Sequence, residues 1–173
     1  MAISRVFVDT NVLFEAFRVG AWNRFGHAYS VETVDKCVEE TQTGDPSACG
    51  RIDIPSQQLR DGLDQIHVPS KKDRATCLLQ YPRLQTLDAG EQHLLVWLLS
   101  HEKLSDETLC IATADKAAIV ACGDLKCLDC VRSFEKLLRD CGTPHEILVR
   151  LSKQYQESWL SGVKTKVRLG MIP

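Results

Sequence analysis

The chain has 173 residues, of which 44% are hydrophobic and 25% charged, enough for one domain with a sizeable core. Its 21 Lys and Arg against 23 Asp and Glu give a net charge of −2, which does not mark a general nucleic-acid binder, although a local basic patch is compatible with it. No apolar run reaches membrane-spanning length, and the first residues lead into a predicted strand rather than a signal peptide. The sequence therefore predicts a cytoplasmic protein that does not enter the membrane.

Strands and helices alternate along the predicted chain. In chain order the pattern predicts a strand over 3–8, helices over 11–18 and 21–25, a strand over 28–33, a helix over 34–43, a loop over 44–57, helices over 58–66, 70–79 and 87–99, a strand over 109–113, a helix over 115–122, a strand over 125–131, helices over 134–141 and 144–160, and a basic tail over 164–173. Helix stops are expected at Gly20, Gly44, Gly123 and Gly142, and caps at Ser133 and Thr143.

This order predicts an α/β fold with a mostly parallel sheet covered by helices on both faces. No domain boundary or internal repeat is apparent, so a single domain over 1–173 is expected. The extended helical middle segment, about 44–86, suggests an inserted arm or lid, and a C-terminal helix and basic tail occupy about 144–173.

Eight cysteines are scattered along the chain, several in apolar periodic contexts where a free cysteine acts as a small core residue. The one Cys-x-x-Cys pair, Cys127 and Cys130, falls in a predicted strand, where positions three apart face opposite sides and chelate poorly. Without a second pair or a histidine at finger spacing, the pattern argues against structural zinc.

Two predicted strands end in the same way. Asp9 follows the first strand and Asp115 the third, each with a Thr nearby at a strand-to-helix junction. In a parallel sheet both junctions lie on one edge, where open α/β sheets hold their ligands. Glu91, in the first turn of a Leu-rich helix, and Glu40, on the helix after the second strand, can reach the same edge.

Each of these acids also has an ordinary explanation. Asp9 and Asp115 suit helix N-caps, Asp88 and Glu91 have the spacing of a capping box, and Glu40 suits a solvent-exposed position. Together they are harder to explain, because two like charges about 4 Å apart repel by about 4 kcal/mol at an effective dielectric of about 20.

Four converging carboxylates indicate a cation site. Hard divalent ions such as Mg²⁺ or Mn²⁺ take oxygen ligands, and two of them would balance four negative charges. Such a pair activates a water and stabilises the leaving oxygen in phosphodiester hydrolysis. The five histidines lack metalloprotease spacing, and the chain has neither a Walker nor a Gly-x-Gly-x-x-Gly loop.

The acidic motifs resemble those of PIN-domain nucleases. The resemblance rests on Val6-Phe7-Val8-Asp9-Thr10-Asn11-Val12-Leu13, on Glu40, on Leu87-Asp88-Ala89-Gly90-Glu91 and on Ile111-Ala112-Thr113-Ala114-Asp115, and it spans roughly residues 3 to 140. It implies a three-layer α/β/α sandwich whose acidic pocket holds Mg²⁺ or Mn²⁺ and cleaves RNA.

The resemblance also implies a role for each site residue. Asp9, Glu91 and Asp115 would ligate the metal directly or through water, Glu40 would contact the metal or orient a water, and Asn11 and Thr113 would support these ligands. Glu39 is the alternative to Glu40. Many small bacterial members are toxins that an antitoxin neutralises and that dimerise, which adds an antitoxin and a second copy of the chain to RNA as implied partners. The long middle segment and the C-terminal extension depart from the plain toxin pattern.

RNA contacts are less clearly marked. Basic residues that could grip phosphates are Lys71, Lys72 and Arg74 beside the pocket and Lys164, Lys166 and Arg168 near the C-terminus, with a solvated surface as the alternative. Bases could stack on Trp22, Trp97 or Trp159, although Trp97 lies in an apolar helix that suits the core.

Two further functions remain open from the sequence. One is a non-catalytic PIN-like module for protein interaction or RNA binding. The other is a small-molecule phosphohydrolase with Asp9 as nucleophile, against which stands Asn11 where a second Asp is usual.

Overall fold

The computed structural model describes residues 4–43, 52–102 and 104–172. Its strands and helices are, in chain order, β1 (Arg5–Val8), α1 (Thr10–Arg18), α2 (Trp22–Ala28), β2 (Ser30–Val34), α3 (Asp35–Gln42), α4 (Ser56–Asp61), β3 (Gln65–His67), α5 (Lys71–Gln80), a 3₁₀ turn (Pro82–Thr86), α6 (Ala89–His101), β4 (Leu109–Ala112), α7 (Lys116–Asp124), a 3₁₀ turn (Leu128–Cys130), β5 (Val131–Arg132), α8 (Phe134–Asp140), α9 (His145–Leu148), a 3₁₀ turn (Lys153–Tyr155) and α10 (Glu157–Arg168).

Five parallel strands of the described chain form one sheet in the order β3-β2-β1-β4-β5. The central strand β1 pairs Phe7 with Glu32 of β2 and with Ile111 of β4. Helices lie between successive strands, so the predicted α/β/α sandwich is confirmed. Because the strands are parallel, the residues that follow β1, β2 and β4 emerge at the same edge, which we call the carboxyl edge.

Aromatic side chains pack on both faces of the sheet. On one face Phe7 stacks on His67 with ring centroids 5.8 Å apart, and His67 stacks on Trp97 of α6 at 4.3 Å. On the other face Phe25 of α2 meets Phe134 of α8 edge-on at 5.1 Å. None of the helices in the described residues has the length and apolar character that crossing a bilayer requires.

A buried ionic network, which the sequence did not reveal, joins four parts of the chain. Glu32 is 1% exposed and accepts two hydrogen bonds from Arg5 (2.6 and 3.0 Å) and one contact from His67 Nε2 (2.6 Å). The same Arg5 guanidinium also binds Glu102 at the end of α6 (2.8 and 2.9 Å). Burial alone would raise the pKa of Glu32, but the bonds from Arg5 and His67 hold it below its usual value.

The helix predicted over 58–66 is wrong. Helix α4 ends at Asp61, and Gln65–His67 instead forms β3, the edge strand beside β2. Three residues are too few to show strand alternation in the sequence. Pairing with β2 and the contact between His67 and Glu32 stabilise this strand, and both are tertiary interactions. The middle segment thus supplies part of the sheet.

The strand predicted over 125–131 is also wrong. Residues Leu128–Cys130 form a 3₁₀ turn, and β5 comprises only Val131–Arg132. Gly123 does not stop α7, which continues to Asp124. A Cβ at Gly123 would clash with Val167 of α10, so this glycine permits close helix packing instead.

The single helix predicted over 144–160 is wrong, because α9 ends at Leu148 and α10 begins only at Glu157. Between them the Ser152 amide donates to buried Glu15 of α1 (2.7 Å), and Arg18 donates to the Arg150 carbonyl (2.7 Å). In a continuous helix the Ser152 amide and the Arg150 carbonyl would bond to other backbone groups of that helix, whereas here they bond to side chains of α1.

The start and end of this C-terminal region also differ from prediction. Pro144, not Thr143, is the N-cap of α9. The predicted basic tail is largely helix: Lys164 on α10 donates to the Val131 carbonyl (2.6 Å), and Arg168 binds Asp129 (2.6 Å).

The other predicted elements agree with the structure within a few residues, and Ser133 caps α8 as expected, accepting from the Lys136 amide. Gly20 and Gly142 lie just after helices with positive φ of 76° and 72°. Gly44 and most of the predicted loop over 44–57 lie outside the described residues.

The ionic network yields a stability prediction. Replacing Glu32 by Ala leaves the Arg5 guanidinium and the His67 ring facing a buried gap, and we expect a loss of about 2–4 kcal/mol in the free energy of unfolding at pH 7. Because the folded pKa of Glu32 is lowered, the advantage of the wild type should shrink as pH falls through that pKa. Urea unfolding at pH 7 and pH 3 measures both effects.

The matched control is Glu102→Ala, which removes the more exposed carboxylate of the same network (16% exposed against 1%). It should cost about 1 kcal/mol, because water can replace the lost partner. An equal loss for the two variants would contradict the difference in burial.

Candidate acidic site

Asp9 lies at the carboxyl edge directly after the central strand β1. It caps α1, because Oδ1 accepts a hydrogen bond from the Val12 amide (2.8 Å). The side chain is 1% exposed, and Oδ2 is buried without a hydrogen-bond partner. Capping therefore accounts for one oxygen of this carboxylate and leaves the other unexplained.

Asp115 repeats this arrangement at the end of β4. Its Oδ1 accepts from the Ala118 amide (3.0 Å) as the N-cap of α7, and its own amide donates to the Thr113 hydroxyl (3.1 Å). The register that pairs Val8 with Ala112 brings the two strand ends side by side. The structure thus places Asp9 and Asp115 at neighbouring positions on the carboxyl edge.

Glu91 lies in the first turn of α6 and is 6% exposed. The described residues offer its carboxylate no hydrogen bond or ion pair. The capping box predicted for Asp88 and Glu91 is wrong, since Asp88 stands at the N-cap position but its side chain makes no capping bond. Glu91 is thus a buried acid with no local structural partner.

Glu40, rather than Glu39, belongs to the site. Its two oxygens accept from the Thr10 hydroxyl (2.5 Å) and from the Gly90 amide (3.0 Å). Glu39 is 59% exposed and pairs with Lys36 (2.9 Å). Glu40 therefore joins α3 to the starts of α1 and α6, where Asp9 and Glu91 lie.

Gly90 makes this arrangement possible. A Cβ at this position would lie 2.5 Å from Glu40 Oε2 and 3.0 Å from both Cys37 Sγ and Thr10 Oγ1. Only glycine lets the first turn of α6 come this close to α3 and α1. The sequence marked Thr10 and Gly90 only as neighbours of predicted acids, and their packing role depends on the spatial meeting of three helices.

The carboxylates act on one another electrostatically. Burial raises the pKa of Asp9 to about 6, with a further increase from Asp115, while the Thr113 hydroxyl and the Val12 amide lower it. Burial raises the pKa of Glu91 to about 8, and the charges of Asp115 and Asp9 raise it further. The cluster therefore resists full ionisation unless positive charge enters it.

The two predicted supporting residues differ in what they contribute. Thr113 is 6% exposed, and its hydroxyl accepts from the Asp115 amide and lowers the pKa of Asp9. The Asn11 side chain is exposed, and it is the backbone of Asn11 that contributes, with its amide acting on Asp9 and its carbonyl accepting from Tyr155 Oη (3.0 Å).

The side chains of the site are ligands of the type that a hard cation prefers, but they are not close enough together for three of them to bind one ion directly. The buried, unpartnered Asp9 Oδ2 and the unpaired Glu91 are oxygen donors of the kind that Mg²⁺ and Mn²⁺ prefer. Within the described residues, no three His, Cys, Asp or Glu side chains are placed to hold one ion directly. Such a site fits an ion that keeps several waters and takes few direct carboxylate ligands, as Mg²⁺ usually does.

Three of the predicted RNA-contacting residues lie on α5. Lys71 and Lys72 are exposed on the first turn of α5. Arg74 is half-buried with an unpartnered Nε, close enough to His93 to help lower the pKa of that ring, for which burial is the larger cause. Trp22 is 2% exposed and Trp97 is stacked between His67 and His101, so neither is available to stack on a base.

No protein-family model matches this chain, and comparisons with curated proteins and with solved structures find no match either. Its function therefore has to be inferred from the residues of the site.

The raised pKa of Glu91 gives a pH prediction. Its folded pKa of about 8 exceeds the ordinary 4.5, so the metal-free protein should lose stability as pH rises between these values. Glu91→Gln removes the titrating charge. We expect this variant to be more stable than the wild type by about 1–3 kcal/mol at pH 9 in a chelator and nearly equal at pH 5.

Urea unfolding at the two pH values measures this difference, and Glu39→Gln is the control because Glu39 is exposed and paired with Lys36. A Glu91→Gln variant that is less stable at pH 9 would show that the carboxylates do not repel one another.

Gly90 gives a packing prediction. Gly90→Ala should destabilise the protein by about 1–3 kcal/mol, because the new methyl group displaces the Glu40 carboxylate from Thr10. Gly162→Ala in α10 is the matched control, since nothing lies within 4 Å of its Cβ position and Ala is the better helix former. Thermal unfolding compares the two. Equal behaviour would contradict the close approach at Gly90.

Proposed function

We propose that this protein is a divalent-metal-dependent ribonuclease of the PIN-like type that its motifs resemble, hydrolysing RNA phosphodiester bonds. The observation that carries the proposal is the unpartnered Oδ2 of Asp9, buried at the carboxyl edge of the sheet beside an unpaired Glu91. A fold stabilised only by its own contacts gains nothing from such acids, because each costs free energy in its charged form.

In this proposal the acids have two kinds of role. Asp9, Glu91 and Asp115 would hold Mg²⁺ or Mn²⁺, some of them through bound water. Glu40 acts differently from the role implied by the resemblance, because both of its oxygens already accept hydrogen bonds from Thr10 and Gly90. It is a positioning residue that holds the first turn of α6, and with it Glu91, against α1.

Bound Mg²⁺ or Mn²⁺ supplies a nucleophilic water at neutral pH and stabilises the leaving oxygen. The chain provides the rest. Asp9 is held in one orientation by its bond to the Val12 amide, and the Thr113 hydroxyl accepts from the Asp115 amide at the end of β4. Because Glu91 binds a cation only when ionised and its pKa is raised, metal affinity should increase as pH rises through about 8.

The choice of RNA, a toxin role with a neutralising antitoxin protein and a homodimer rest on the resemblance alone. A cytoplasmic location is also part of the proposal.

A second candidate function is a non-catalytic PIN-like module for RNA binding or protein interaction. It is favoured by the absence, within the described residues, of three acids spaced to hold one ion directly. In that case Asp9 and Glu91 would have no catalytic role.

The decisive experiment is a cleavage assay with labelled RNA and DNA in Mn²⁺, Mg²⁺ or EDTA. We expect RNA cleavage with either metal, none in EDTA, and a loss on the order of a hundredfold or more for Asp9→Asn and Glu91→Gln. Glu39→Gln should cleave like the wild type, because its side chain is exposed and lies outside the acidic cluster.

Cleavage that persists in EDTA or in the Asp9→Asn variant would refute the metal-nuclease proposal. Absence of cleavage of any nucleic acid, with the protein folded, would favour the non-catalytic module.

A further inference from the structure

A groove leads away from Asp115 across the outer surface of α7. It consists of two cavities, one of about 400 Å³ that Asp115 and Lys116 line, and one of about 510 Å³ that Tyr81 lines. Arg83 and Thr86 line both, so the cavities adjoin. The groove thus shares Asp115 with the acidic site.

Positive charge lies along the part of the groove nearest the acids. Lys116 is exposed and has no ion-pair partner within the described residues. Arg83 binds Asp124 through its Nε, and both side chains are substantially exposed (40% and 53%), so the outer guanidinium nitrogens of Arg83 remain open to solvent. Two cations beside an acidic cluster can contact the phosphate groups of a polyanionic ligand that also reaches the acids.

The far part of the groove is largely apolar. Its walls include Leu84, Ala121 and Leu125 together with the half-buried Tyr81, whose hydroxyl accepts a hydrogen bond from Gln80 (3.0 Å). A volume of about 510 Å³ is within the range of small-ligand pockets and exceeds the needs of one nucleobase. An aromatic side chain on such a wall offers a flat surface for base stacking.

We propose that this groove binds single-stranded RNA next to the bond to be cleaved, with one unpaired base in the larger cavity against Tyr81 and the adjoining phosphates on Arg83 and Lys116. The inference rests on the proposed ribonuclease function and specifies its substrate as an unpaired strand. A base held in a duplex cannot leave its stack to enter the cavity without an unpairing cost. The groove is a site for the substrate strand, separate from the acids that act on the phosphodiester.

Binding is tested without cleavage, by fluorescence anisotropy of a labelled single-stranded RNA with the full chain in EDTA. Tyr81→Ala should weaken the affinity about fivefold or more, and Tyr81→Phe, which keeps the ring, should not. Arg83→Gln should weaken binding and lower the slope of log affinity against log salt by about 0.7, the value for one phosphate contact on a single strand.

The control for charge is Arg60→Gln. Arg60 is an exposed arginine at the end of α4, which precedes β3 and so lies toward the opposite edge of the sheet. It should leave both the affinity and the salt slope unchanged. A duplex of the same sequence should bind more weakly than the single strand and should not respond to Tyr81→Ala.

A structural defect in Tyr81→Ala is separated from a lost stacking contact by RNA with one abasic sugar. A series of RNAs, each lacking one base, identifies the base whose loss weakens wild-type binding most. If that base stacks on Tyr81, the RNA that lacks it should have the same affinity for wild type and for Tyr81→Ala. A variant that simply misfolds would lose affinity for intact and abasic strands alike.

The result that overturns the inference is binding in which Tyr81→Ala and Arg83→Gln behave like Arg60→Gln, or a wild-type chain that does not bind single-stranded RNA. This outcome is distinct from failure of the proposed function. RNA cleavage that is insensitive to Tyr81 and Arg83 would refute the groove alone, whereas groove-dependent binding without metal-dependent cleavage would refute the nuclease alone.

Discussion

The constraint on which the rest of this structure depends is the position of the Asp9 carboxylate. One oxygen completes the first turn of α1, and the other is buried without a well-formed hydrogen bond, although the Thr113 hydroxyl lies near the carboxylate. The strand that precedes Asp9 is the centre of the sheet, and the side chain is 1% exposed. Gly90, Glu40 and Thr10 then bring α6 against this point and add a second unpaired acid, Glu91.

Other buried glutamates of the protein are paired with hydrogen-bond donors. Glu32 is matched by Arg5 and His67, and Glu15 by the guanidinium of Arg18 and the amide of Ser152. Those pairs hold the pKa values of the two glutamates below the usual range despite their burial. This contrast within one molecule favours the proposed ligand at the unpaired acids over a purely structural role for them.

Parts of the fold and of the acidic site were predictable from the sequence, and other parts were not. Asp9 and Asp115 were predictable, because a buried strand that runs into an acid and a helix has a local signature. The strands β3 and β5 have three and two residues and exist only through pairing with their neighbours, so no local pattern marks them. The break before α10 comes from Glu15, more than a hundred positions away in the chain. The groove beside Asp115 draws its walls from separate segments, and such an assembly has no periodicity to detect.

The ionic network on the sheet also bears on how the protein folds. Arg5 meets Glu32 across 27 positions and Glu102 across 97, while Glu32 meets His67 across 35. We expect bonds that close loops of such length to form late in folding, because the loss of chain entropy precedes the energy that they return. During synthesis the amino-terminal strand therefore emerges long before its last ionic partner does. Substitutions in this network should act chiefly on the rate of unfolding and leave the folding rate nearly unchanged.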